Sequence, residues 1–78
     1  MLTDHLILNL NDRKIKVRGN MKIVIDRGYI TLINHVATVV MSRLEGGVFA
    51  TVNGEGPFLV EKYHVSYTTY PQVRKALS

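Results

Sequence analysis

Lys14, Lys16 and Arg18 stand at every second position of the stretch RKIKVRGNMK, residues 13–22. That stretch holds five of the chain's ten Lys and Arg residues and no acid. On a β-strand this spacing sends the three cations out of one face about 7 Å apart, while Ile15 and Val17 point the other way. Such a row suits the phosphates of an extended nucleic-acid strand, and contacts of this kind give affinity without reading sequence. Arg13 and Lys22 flank the row, and Arg27 follows in the next turn. The same cations on a plain surface strand would keep it soluble and discourage edge-to-edge pairing. Charge is uneven along the chain: residues 1–34 carry six cations and three acids, residues 35–78 four and three.

Other chemistry is sparse. Tyr63 and Tyr67 share one face of a strand and could stack unpaired bases if that face is open. Phe49 and Phe58 read as core. His5, His35 and His64 lie about thirty residues apart in sequence, with no Cys and no converging acids at ligand spacing, so no metal site is expected. Asp4 beside His5 is an adjacency rather than a cluster. The glycines of NGEG, residues 53–56, lack the Lys and Ser/Thr of a phosphate-binding loop and read as a hairpin turn. The six acids fall mostly at turns and strand edges, which argues against paired-carboxylate catalysis. No enzyme activity and no cofactor are expected.

The pentapeptide IKVRG, residues 15–19, resembles the RNA-contacting strand of the tryptophan-operon attenuation protein, where a Lys and an Arg flank a Val. That likeness implies Lys16 and Arg18 as RNA contacts. It covers five residues, the rest of the chain does not follow that family, and no family is assigned from it.

The elements that must position these residues are mainly strands. Val, Ile and Thr make up 22 of the 78 residues, and β-branched side chains suit a pleated surface. HLILNL (5–10) ends at the turn pair ND, and RKIKV alternates. Gly19-Asn20 breaks the run, MKIVI resumes, and DRGY closes a two-residue hairpin into YITLI. These four strands form an antiparallel meander. In residues 34–46, NHVATVVMSRLEG, Asn34 is placed to cap a helix and Gly46 to end it. Val36, Val39, Val40 and Leu44 make an apolar stripe at helical spacing between them. The β-branched run VATVV opposes that reading, but the two caps favour a helix. GVFATV and PFLVEKYHVSY then flank NGEG as a second hairpin, and Pro71 opens a short terminal helix.

The expected architecture is therefore a small α+β domain over residues 1–78: a β-meander, one central helix, a second hairpin and a short C-terminal helix. The alternative is an all-β small barrel with residues 34–44 as a strand. Length sets a single domain with a modest core. The chain has no Cys, so disulfides are out, and self-association is the staple that remains, with the strand from Phe58 to Tyr67 as an edge that could pair across a dimer. No apolar run approaches a membrane span, and Asp4 stands where a signal peptide wants a cation, so a cytoplasmic protein is expected. Two functions fit. One is a nucleic-acid-binding module using Arg13, Lys14, Lys16, Arg18, Lys22 and Arg27. The other is a protein-interaction module, or a phage-type inhibitor, docking on an acidic surface of a larger enzyme or complex.

Overall fold

The computed structural model describes residues 1–78 as a closed, all-antiparallel barrel of six strands with one short helix. The strands are β1 (Leu2–Leu10), β2 (Lys14–Asp26), β3 (Tyr29–Ile33), β4 (Thr38–Leu44), β5 (Gly47–Val52) and β6 (Glu55–His64). They pair in chain order, and β6 returns to β1 to close the ring. The helix α1 spans Tyr70–Ala76, with Pro71 in its first turn as the sequence predicts. It is too short to cross a membrane.

Alternation fills the barrel. Leu6, Leu8 and Leu10 of β1, Val17, Met21 and Ile23 of β2, and Ile30 and Leu32 of β3 all face inward and are buried. Val39 and Met41, Ala50, and Val60 continue the core around β4, β5 and β6. Val65, Val73 and Leu77 are buried with this cluster, so α1 and the segment before it cover one open end.

The α+β expectation fails at residues 34–46, which hold no helix. Asn34 does cap backbone amides: its Oδ1 accepts hydrogen bonds from Val36 N (2.8 Å) and Ala37 N (2.9 Å). The Asn34 amide, however, donates to Ala37 O at 3.0 Å, closing a turn after which the chain extends. From there the β-branched residues set the period at two. Ala37, Val39 and Met41 point inward, whereas Val36 and Leu44, members of the supposed helical stripe, are 62% and 49% exposed. Gly46 sits at φ +96° in the two-residue β4–β5 turn, not at a helix end. A capping side chain and a turn-closing one look alike in sequence.

Two further expectations change. Gly19-Asn20 does not separate two strands; β2 runs unbroken for 13 residues and carries a β-bulge there. Thr3 pairs with Met21 and His5 with Arg18, so Asp4 alone faces Gly19 and Asn20. Gly19 supplies the left-handed φ of +92° that the bulge requires. Nor is Phe49 core: it pairs with Ser42 and Leu59 on the outer face and is only half-buried. Phe58 packs against the core from a half-buried position. The Asp26–Tyr29 and Val52–Glu55 hairpins are tight, as read from DRGY and NGEG. Arg27 and Gly28 lie at φ +52° and +81°, Asn53 and Gly54 at +51° and +82°, the pattern that matches strand twist.

The strand assignment of residues 38–44 makes a mutational contrast. Met41→Ala should cost about 2–5 kcal/mol in urea unfolding, the range for emptying a buried side chain. Val40→Thr, on the outer face, should cost under about 1 kcal/mol. A helix with Val40 on its buried stripe would reverse the Val40 result.

Candidate functional site

The cations of β2 emerge on the outside of the barrel, opposite the core-facing Val17 and half-buried Ile15. Strand register shows what lies beside them. Lys14 pairs with Asn9 and Asn9 with Lys62; Lys16 pairs with Ile7 and Ile7 with His64; Arg18 pairs with His5. The outer face of β2, β1 and β6 is therefore a lattice with cations on both flanks. Neighbouring strands lie about 4.8 Å apart, so Lys14 and Lys62 stand roughly 10 Å apart across the sheet, while Lys14 and Lys16 are about 7 Å apart along it. The flanking Lys14, Lys16, Arg18, Lys62 and His64 are exposed; the central His5, Ile7 and Asn9 are half-buried between them. Long cationic side chains cover apolar neighbours with their stems and leave the charge in water. Asn9 Oδ1 is buried in the middle row without a hydrogen-bond partner, placing its partial negative charge between Lys14 and Lys62.

Lys14, Lys16, Arg18 and Lys62 have no acid within ion-pair reach, since the chain's only ion pairs are His5–Asp4 and Arg27–Asp26. The remaining basic residues singled out by the sequence stand apart from this lattice. Lys22 lies beyond the bulge, between Leu2 and Ile33. Arg13 stacks its guanidinium over the Phe58 ring at 4.7 Å. Arg27 sits in the β2–β3 turn at 3.9 Å from Asp26. Tyr63 and Tyr67 are also separated. Tyr63 is half-buried and packs on Tyr70, with ring centroids 5.7 Å apart and planes 32° apart, whereas Tyr67 lies past the end of β6 and is 87% exposed. Burial pushes the Tyr63 phenol up, with Tyr70 adding to the rise and the Arg74 charge opposing it.

Lys62, His64 and His5 are members of the lattice that the sequence did not join to it. Lys62 and His64 share one face of their strand by simple alternation. Only the β6–β1 pairing carries that face to β2.

The bulge shapes the rim of this face. In a regular strand neighbouring side chains point to opposite sides. Across the bulge both Asp4 and His5 turn outward, and His5 Nδ1 lies 2.7 Å from Asp4 Oδ1. The same carboxylate oxygen accepts the Ser66 hydroxyl at 2.7 Å, while Ser66 N donates to Thr3 Oγ1 at 2.8 Å and Asp4 N to Ser66 Oγ at 3.0 Å. Ser66 thereby fastens the segment leading to α1 onto β1. The hydroxyl of Ser66, then His5, hold the Asp4 carboxyl below its ordinary value of 3.8.

A second concavity adjoins the lattice. The β5–β6 pairing ends at Val48–Val60, so residues 61–64 pair with β1 alone and a groove of about 590 Å³ opens along them. The β4–β5 turn forms one wall and Tyr70 stands at the other side. Gly47 permits the close approach, since a Cβ there would come within 3.1 Å of Leu59 Cδ1 and its φ is +140°.

No protein family, curated protein or solved structure matches this chain.

The Asp4 network has a titration signature. A carboxyl with a lowered folded-state pKa contributes stability that is present above the unfolded value near 3.8 and is lost as pH falls through the folded value. Following the Asp4 carboxyl by NMR from pH 5 to 1.5 (roughly the span over which such groups titrate) should give a midpoint below 3.8 in the wild type. Ser66→Ala should move that midpoint up. An unmoved midpoint would assign the shift to His5 instead.

Proposed function

We propose that this barrel is a non-enzymatic module that binds nucleic acid, RNA or single-stranded DNA, on the outer face of β2, β1 and β6, and that it works in the cytoplasm. The observation that carries the reading is the lattice itself: Lys14, Lys16 and Arg18 in a column along β2 and Lys62 across from it on β6, none paired with an acid. Cations on both flanks give a flexible strand phosphate contacts on either side of its path. Ile7, the apolar member of the middle row, lies between the flanks where a sugar or base would rest. Arg13, Lys22 and Arg27 lie at the margins and add long-range attraction more than contact.

A different observation favours a protein partner. Tyr29, Ser42, Phe49 and Leu59 form one continuous row across the outside of β3, β4, β5 and β6, and Tyr29 and Leu59 are 55% and 45% exposed. Exposed aromatic and aliphatic groups in one row are what a protein interface uses as anchors. Docking on a larger protein, with the cations meeting an acidic surface, is the second reading.

Fluorescence anisotropy with short labelled RNA, single-stranded DNA and duplex DNA separates the two. Binding of the single strands should weaken between about 50 and 200 mM salt, with log K falling by about 0.7 per phosphate neutralised for each tenfold rise in salt. The double variant K16E/R18E should weaken binding at least about ten-fold and flatten that slope. No binding at low salt to any of the three would end the nucleic-acid reading. The row of Tyr29 and Leu59 would then become the target of alanine substitution against a protein partner.

A further inference from the structure

We infer that the groove beside β6 is a nucleotide subsite, taking one phosphate and one base of a strand whose path continues from the β2–β1–β6 face; this rests on the nucleic-acid reading above. The groove is lined by Arg43, Glu61, Lys62, Tyr63, His64 and Tyr70, together with the backbone of the β4–β5 turn. Three features fit that ligand.

The first is charge. Arg43 and Lys62 face one carboxylate, Glu61, which sits in the bulge where β6 shifts register against β1. Arg43 makes no ion pair, and its planar guanidinium suits a phosphate, offering two parallel N–H donors. The second is the aromatic pair. Tyr63 is held against Tyr70, and Tyr70 remains 39% exposed, so a base has a ring to stack on that packing already holds in place. The third is continuity. Lys62 and His64 belong to the lattice, paired through Asn9 and Ile7 to Lys14 and Lys16, and they also line the groove. A strand crossing the face can thus enter the groove without leaving a cationic surface.

The opening itself follows from strand pairing. Because β5 leaves β6 after Val48–Val60, backbone polar groups of residues 61–64 on that side face the groove rather than a neighbouring strand. A base edge could pair with such groups in place of a neighbouring strand.

NMR titration of the ¹⁵N-labelled protein with a nucleoside monophosphate tests the groove apart from the face. Shifts should concentrate on the amides of Gly46, Gly47, Lys62 and Tyr63. Inorganic phosphate, lacking a base to stack, should bind at least about five-fold more weakly. Tyr70→Ala should weaken nucleotide binding about five-fold or more, while Tyr70→Phe, which keeps the ring, should hold it. Arg43→Gln should weaken both the nucleotide and phosphate. Equal binding of phosphate and nucleotide, or indifference to Tyr70→Ala in a variant of unchanged melting temperature, overturns the subsite. If the groove amides stay unmoved by mononucleotide while longer strands still bind through Lys16 and Arg18, the subsite falls and the face stands. If no strand binds at low salt, both fall.

Discussion

The pairing of β6 with β1 is the constraint on which the molecule depends. A six-strand meander left open would present two unpaired edges, the usual route to aggregation, and a chain of this size has little stability to spare for managing them. Closure through Ile7–His64, Leu8–Tyr63, Asn9–Lys62 and Leu10–Val60 joins the two edges over the C-terminal halves of β1 and β6. It also puts Leu8 and Leu10 inside a complete ring of apolar neighbours. The strand from Phe58 onward, which in isolation looks like an edge available to a second copy, is instead flanked by β5 and then by β1.

Closure also sets where function can lie. The interior is filled by Leu, Ile, Val and Met side chains, many wholly without exposure, so no ligand chamber remains within it. Six strands make a ring too narrow for anything beyond side chains. What the molecule offers to partners is on its outside or at its ends. The same ladder that completes the core lays Lys62 and His64 next to β1 and so builds one basic face from residues nearly fifty positions apart in the chain.

How much of this the sequence carries can be judged residue by residue. The alternation of Lys14, Lys16 and Arg18 against Ile15 and Val17 placed the cations outside correctly, because period-two patterning depends only on local strand geometry. The turns at Arg27-Gly28 and Asn53-Gly54 were legible for a similar reason: few residues tolerate their positive φ. Residues 34–46 were not legible. Asn34 and Gly46 both satisfy a local rule that helices and turns share, and the deciding fact, Val39 and Met41 facing a barrel interior, is tertiary. The bulge at Gly19-Asn20 likewise reads as a strand end until its partner strand is known. Membership of Lys62 in the basic face could not be read at all, since it depends on which strands meet.

The outer register positions of β3, β4 and β5, from Tyr29 and Thr31 through Thr38, Val40 and Ser42 to Phe49 and Thr51, carry no charge. Lys14, Lys16, Arg18 and Lys62 lie on the opposite wall, and several acids sit in the turns and at strand ends. Positive charge on the outer strand faces is therefore one-sided. A polyanion would attract that wall over a longer range than the uncharged one. Contact led by that wall would leave the uncharged one free to meet something else.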